Sequence, residues 1–264
     1  MTTATESLSK YQKLTDREHI LKKPDTYIGS IENTEHEDYL FNENKIIMKN
    51  FQYIPGLYKL FDEGIVNCRD HVIRQAQAVK DNQEKSLPVT NIDITIDEDG
   101  TIHMTNDGNG IDVAQHPEYN LWIPEMIFGH LRTSTNYDEK KKEKTVGGKN
   151  GFGFKLVLIW STWGRVETVD HVRGLKYIQE FKNNLTEIGK PSITKSKVKP
   201  YTKVSFKPDY TRLGISGLSE DMLSLFKKRV YDVSAVTDKT VKVKLNGQVV
   251  PCKNFEQYID LYVG

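Results

Sequence analysis

The sequence is poor in several features that would each indicate a particular class of protein. Its 264 residues include only two cysteines, Cys68 and Cys252, which lack the spacing of a zinc site. This favours a reducing compartment over a disulfide framework. No run approaches the roughly 18 apolar residues of a membrane span, and residues 1–10 lack the apolar stretch of a signal peptide. The sequence therefore predicts a soluble, intracellular protein with no membrane partner.

An excess of charge of either sign is also absent. Lysine and arginine number 37 against 36 acidic residues, which leaves a formal net charge of +1. A dedicated DNA-binding domain normally carries a clear basic excess, so any DNA contact made by this chain alone is expected to be weak and salt-sensitive. The lysine-rich run at 140–144 is interpreted as a solvated loop.

Hydrophobic periodicity predicts a fold of the α+β class. Apolar residues recur at threes and fours after Pro55-Gly56, which predicts a helix that ends near Asp81-Asn82. Ile92–Ile96 alternates and is predicted to form a hairpin with 101–105. Further strands are predicted at 45–53, 165–172, 175–181, 201–207 and 240–245, and further helices at 124–131, 152–160, 220–236 and 255–263. The expected architecture is a two-layer sandwich, a mixed or antiparallel sheet with helices on one face, preceded by a polar, unpacked arm over 1–23.

The common phosphate loop, G-x-x-x-x-G-K-[ST], does not occur, so a nucleotide site would have to come from other segments. One candidate lies on the long predicted helix, where Glu63, Asn67 and His71 share a face at i, i+4 and i+8. The carboxylate can accept a proton from water, and the amide oxygen is a ligand that Mg²⁺ accepts. The same pattern is also typical of a solvated polar face.

Two glycine-rich segments are the other candidates. Asn106-Asp107-Gly108-Asn109-Gly110-Ile111 follows a predicted strand, and its glycines would let the backbone approach a flat ligand, although it could also be a plain tight turn. Residues 147–155 hold four glycines and two lysines before an apolar helix, a composition that suits an anion.

Together these segments resemble the GHKL ATPase superfamily, and within it the ATPase domain of eukaryotic-type type II DNA topoisomerases. The residues that carry the resemblance lie throughout the chain: 11–14, 18–21, 24–30, PGLYKLFDEGIV at 55–66, NDGNGI at 106–111, IPEMIFGHL at 123–131, 133–137, 147–156 and YTKVSFKP at 201–208. Other GHKL proteins, such as heat-shock chaperones, mismatch-repair proteins and histidine kinases, share the glycine loops but lack PGLYKLFDE and IPEMIFGHL.

The resemblance implies a role for each matching position. Glu63 would be the general base that activates water, Asn67 would hold Mg²⁺ against the phosphates, and Asn106 would read the adenine. Ile111 and Phe128 would flank the base. Ribose and phosphate contacts would come from Thr133, Ser134, Thr135 and Asn136. The lid over the triphosphate would be formed by Gly148, Lys149, Asn150, Gly151, Phe152, Gly153, Phe154 and Lys155.

The resemblance also implies an arrangement of the longer enzyme. Residues 1–30 would form an arm exchanged between subunits, with Tyr27 reaching the partner's nucleotide, and 31–264 the ATPase domain. ATP and Mg²⁺ would be the cofactors, and a second copy of the chain would be the partner on nucleotide binding. Double-stranded DNA would be bound by the full-length enzyme. The nucleus is the expected compartment for a cellular protein, and a viral or host compartment for one encoded by a large DNA virus.

Some positions depart from the family pattern. His71 stands where eukaryotic relatives have a second asparagine, which leaves its role open, and a lining histidine without catalytic duty is one interpretation. Gly64 and Cys68 are expected to alter packing only. Phe152 and Phe154 replace tyrosine and alanine. The transducer domain, whose lysine reaches the γ-phosphate in relatives, and the DNA-cleavage domain are absent from the 264 residues, so an alternative is a dimerisation module with little turnover.

Overall fold

The computed structural model describes residues 13–131 and 153–263. Within these ranges the helices are α1 (Asp16–Lys22), α2 (Pro24–Tyr27), α3 (Pro55–Lys80), α4 (Ile123–Gly129), α5 (Gly153–Ile159), α6 (Glu220–Ala235) and α7 (Phe255–Val263). The strands are β1 (Thr34–Asn42), β2 (Lys45–Tyr53), β3 (Asn91–Ile96), β4 (Ile102–Asp107), β5 (Ser161–Asp170), β6 (Leu175–Lys182), β7 (Glu187–Ile188), β8 (Ser192–Lys195), β9 (Tyr201–Pro208), β10 (Lys242–Leu245) and β11 (Gln248–Val249).

Nine strands form one mixed sheet in the order β11-β10-β3-β4-β9-β5-β6-β7, with β8 also paired to β6. Antiparallel pairing joins all neighbours except β10 and β3, which run parallel. Strands β1 and β2 form a separate hairpin. The α+β sandwich predicted from the sequence, with a mixed sheet and helices, is confirmed.

The core lies between this sheet and α3. Leu57, Leu60, Phe61 and Ile65 on α3 are fully buried, as are Ile92 and Ile94 of β3 and Met104 of β4. Burying a side chain of this size contributes about 2 kcal/mol. The ring of Phe61 stacks on Phe226 of α6, with centroids 4.1 Å apart, and so joins the two long helices.

Gly64 is the point on α3 where two other elements approach. A Cβ atom added there would lie 2.3 Å from the Met104 sulfur of β4 and 3.4 Å from the Phe154 ring of α5. The missing side chain therefore allows β4 and α5 to approach α3 directly beside Glu63.

The prediction of a polar, unpacked arm over residues 1–23 is wrong for residues 16–22, which form helix α1. Thr15 and Glu18 form a reciprocal capping box at the start of α1, and Ile20 is fully buried in the main core. The helix is short and mostly charged, and Ile20 is its only buried residue, so the sequence shows no apolar period there. The strand Thr34–Asn42 was also missed, because six of its residues are exposed in a row and show no alternation.

Both cysteines are free and buried. Burial raises the pKa of the Cys68 thiol to about 12. In the two described ranges, no helix is both long enough and apolar enough to cross a lipid bilayer.

Candidate active site

Helix α3 presents Glu63 and Asn67 one turn apart, outside its buried stripe. The Glu63 carboxylate is 22% exposed and lies 2.7 Å from the Lys59 ammonium. Asn67 is exposed. A pair of this kind, spaced i,i+4 near the surface, is worth about 0.5 kcal/mol, so Lys59 competes only weakly with a ligand for the carboxylate.

The end of strand β4 is fixed by Asp107. Its carboxylate accepts hydrogen bonds from the backbone N–H groups of Thr90 (2.6 Å) and Asn91 (2.8 Å), and from the Lys199 ammonium (2.5 Å). Burial raises the pKa of Asp107, but the hydrogen bonds from Lys199 and Thr90 outweigh it and hold the pKa below its usual value. Asn106, one residue earlier, is 6% exposed. The hydrogen bonds of Asp107 therefore also fix the backbone position of Asn106.

The far end of the same loop is attached to strand β5. The Ile111 N–H donates to the Thr168 hydroxyl at 2.9 Å, and the Val113 N–H donates to the Asp170 carboxylate at 2.9 Å. Val169, which lies between Thr168 and Asp170 on β5, is also close to the loop: a Cβ at Gly110 would lie 2.0 Å from its carbonyl oxygen. Only glycine allows this approach of loop and strand.

His71 connects α3 to this loop. Its Nε2 lies 2.9 Å from the Asn109 carbonyl oxygen. Burial, and next the Arg74 charge, lower the pKa of His71 to about 4. The ring is therefore neutral near pH 7, and Nε2 must carry the proton because a carbonyl oxygen can only accept. His71 is thus an enclosed, neutral ring with a defined backbone partner.

Helix α5 begins next to Glu63. A Cβ at Gly153 would lie 3.5 Å from the Glu63 Oε2 atom. Two residues later Lys155 is only 3% exposed, and burial lowers the pKa of its ammonium to about 8. The structure thus brings the start of α5, which belongs to the predicted lid, to the predicted base.

Aromatic side chains form the wall behind this point. Phe154 meets Phe128 of α4 edge-on, with ring centroids 5.6 Å apart. Phe128 is 6% exposed and Ile111 packs partly buried against the core.

Tyr27 of α2 lies with its hydroxyl 2.9 Å from His19 Nδ1.

Several predicted site residues lie outside the described ranges. They are Thr133, Ser134, Thr135, Asn136, Gly148, Lys149, Asn150, Gly151 and Phe152. In the described part of the chain, no three His, Cys, Asp or Glu side chains are grouped to hold a metal ion. An exposed amide such as Asn67 suits a cation whose other ligands are phosphate oxygens and water.

Sequence reasoning did not find the residues that hold the β4 loop. They are Thr90 and Lys199, which lie outside the strands, and Thr168 and Asp170 of β5, and Lys199 is 92 residues away from Asp107. No local pattern marks such residues, because hydroxyl and charged side chains at strand ends are common and their partner is defined only by the fold.

Comparison with known proteins identifies the relatives of the chain. DNA topoisomerase 2 of Acanthamoeba polyphaga mimivirus is 47% identical over 262 residues, which cover 96% of this chain and 20% of that protein. DNA topoisomerase 2 of Saccharomyces cerevisiae is 44% identical over 258 residues, covering 96% of this chain and 17% of the relative. The chain thus spans at most about a fifth of the length of these relatives. No protein-family model matches it.

Solved structures agree with the sequence relatives. The ATPase region of Saccharomyces cerevisiae topoisomerase II superposes with a TM-score of 0.88 at 44% identity, over 97% of this chain and 65% of that one. The ATPase and transducer domains of DNA topoisomerase II from Balamuthia mandrillaris give 0.86 at 36% identity, over 96% and 63%.

The sheet, the helix that carries Glu63 and Asn67, and the glycine loop after β4 define a domain of the GHKL type. The chain belongs to the ATPase domains of eukaryotic-type type II DNA topoisomerases.

Proposed function

We propose that this chain binds ATP with Mg²⁺ and hydrolyses it as the N-terminal gate of a type II DNA topoisomerase. In the full-length enzyme, ATP-driven closure of two subunits would be coupled to the passage of one DNA duplex through another. The observation that carries the proposal is the meeting of three elements at Gly64, which places β4 and α5 beside Glu63. The similarity to the topoisomerase ATPase regions supports it.

The roles follow from the chemistry of the side chains. Glu63 would remove the proton of a water positioned in line with the γ-phosphate, and Asn67 would hold Mg²⁺. Mg²⁺ would offset the negative charge of the triphosphate. Asn106 would offer a donor and an acceptor to the edge of the adenine, and Lys155 would contribute a cation from the start of α5.

The partners of the full-length enzyme are part of the same proposal. They are ATP, a second copy of the chain and double-stranded DNA, with Tyr27 in the region exchanged between subunits. The compartment would be the nucleus for a cellular enzyme, and a viral or host compartment for a viral one.

A second candidate function is a nucleotide-dependent dimerisation module with little turnover. One observation favours it: the Glu63 carboxylate lies 2.7 Å from the Lys59 ammonium, and it would have to release this weak partner before it could accept a proton from water. In this reading ATP would change the assembly state and would be hydrolysed slowly or not at all.

Calorimetry and steady-state phosphate release separate the two candidates. Wild-type chain is compared with Glu63→Gln and Glu63→Ala, and with Glu180→Gln as a control, because Glu180 is also paired with a lysine, Lys182 at 3.5 Å, but lies on strand β6. For an ATPase we expect all four proteins to bind ATP and both Glu63 variants to lose turnover by about 100-fold or more.

Binding without turnover in every protein would favour the dimerisation module. Absence of any heat with Mg²⁺ and ATP, together with no effect of Asn106→Ala, would rule out nucleotide binding at this site.

A further inference from the structure

His71 and the two proposed phosphate-side residues lie on one face of α3. Asn67 is one turn before His71, and Glu63 is two turns before it. Unlike these two, His71 points its ring nitrogen at the backbone of the loop after β4, where Nε2 donates to the Asn109 carbonyl at 2.9 Å. A single hydrogen bond therefore runs from the helix of the phosphate side to the loop that follows Asn106.

The loop is held at the same place from its other side. The Asn109 side-chain oxygen accepts the Leu87 N–H at 2.8 Å. A Cβ added at Gly108, whose φ is +86°, would lie 2.8 Å from Val89 Cγ2 and 3.4 Å from His71 Nε2. Gly108 and Asn109 are thus clamped between α3 and the segment 87–89, with His71 as the only α3 side chain among these contacts.

The ring is suited to a fixed contact. It is enclosed, its pKa is lowered to about 4, and its charged neighbours are Arg74 and Asp107. A neutral imidazole has one N–H, and that of His71 donates to the Asn109 carbonyl. This hydrogen bond therefore does not change with pH around neutrality.

We propose that His71 is a positioning residue that sets the distance between α3 and the base-reading end of β4, and thereby the selectivity of the site for adenine. The base and the triphosphate of a nucleotide are joined covalently. Asn106 can meet the edge of the base only if β4 stands at the correct spacing from the residues that meet the phosphates. This inference rests on the proposed function, because it needs a nucleotide to span α3 and β4.

The test compares three variants. His71→Gln keeps an N–H donor at about the reach of Nε2, whereas His71→Leu fills the space without a donor. His103→Ala is the matched control: His103 lies on β4, three residues before Asn106 and on the opposite face of the sheet, and loses bonds to Ser205 (2.7 Å) and Asp97 (2.9 Å). It reports any loss that comes only from loosening the strand.

The measurement is the dissociation constant of each folded protein for ATP and for inosine triphosphate, whose base carries an oxygen in place of the adenine amino group. We expect His71→Leu to weaken ATP about fivefold, the usual value of one hydrogen bond, and inosine triphosphate less than twofold. His71→Gln is expected to restore the wild-type ratio, and His103→Ala to keep it.

One result would overturn the inference: a His71→Leu protein in which the ratio of the two constants is unchanged. If both nucleotides were weakened equally, the role of His71 would be purely structural, and if neither were weakened, the ring would not position the site. Failure of the wild-type chain to bind either nucleotide would overturn the proposed function itself, and is recognised because it is seen before any variant is made.

Discussion

Asp107 shows how one buried side chain can fix a loop that is otherwise rich in glycine. Its carboxylate collects hydrogen bonds from Thr90, Asn91 and Lys199, and Thr168 performs the matching task at Ile111. The glycine spacing of 106–111 was enough to predict a loop at a strand end. It was not enough to predict the anchors, since these depend on pairing between strands distant in sequence.

At the scale of single residues, His71 makes stability depend on pH. Its pKa is about 4 in the folded chain against an ordinary 6.5, so the unfolded chain binds an extra proton between these values. The stabilisation is complete above pH 6.5 and is lost as the pH falls towards 4. From the two pKa values, wild-type protein should lose about 2 kcal/mol relative to His71→Gln between pH 7.5 and pH 5.

Urea unfolding of both proteins at these two pH values gives the comparison. A constant difference in unfolding free energy between wild type and His71→Gln would mean that the ring is already accessible to protons in the folded state.

At the scale of elements, α3 was the most predictable part of the fold, and α1 and β1 the least. The apolar stripe of α3 runs from Leu57 to Val72, about four turns, and outweighs its poor helix formers, including Gly64 in mid-helix. Helix α1 depends on Ile20 and a capping box, and β1 is polar along most of its length, so neither produces a period. Gly64 was expected to alter packing only, whereas in the structure its missing side chain allows β4 and α5 to approach α3.

Gly64→Ala tests this role. An alanine normally stabilises a helix interior by about 1 kcal/mol, but here its Cβ would meet the sulfur of Met104, which is fully buried and could move only by displacing other core side chains. We expect a net loss of about 1–3 kcal/mol, measured by urea unfolding. In a Met104→Val background, which removes the sulfur, the same substitution should be neutral or stabilising. Equal losses in the two backgrounds would contradict this explanation.

At the scale of the whole molecule, the class of fold was accessible from sequence but the order of strands was not. Alternation located most strands of the main sheet. Which strands lie side by side depends on contacts such as the parallel pairing of β10 with β3. Next to this pair, the Ile96 N–H donates a hydrogen bond to the side-chain oxygen of Asn246, 150 residues away. Residues 34–53 were expected to contain only one strand, and form the separate hairpin instead.

The balance of 37 basic against 36 acidic residues leads to a prediction for the molecule as a whole. With few uncompensated cations to displace counterions, the isolated chain should bind a short DNA duplex no more tightly than about 10 µM at physiological salt. Fluorescence anisotropy at two salt concentrations measures this. Submicromolar affinity at 150 mM salt would show a basic surface that the overall balance conceals.

The burial of both thiols has a practical consequence. Because Cys68 and Cys252 are the only cysteines in the sequence, maleimide reagents should find no native target while the chain is folded. A cysteine introduced at an exposed position, for example in place of Val236, would then carry a single spectroscopic label without prior removal of the natural ones. Distances between labels on two copies could follow the approach of subunits directly, with the protein otherwise unaltered.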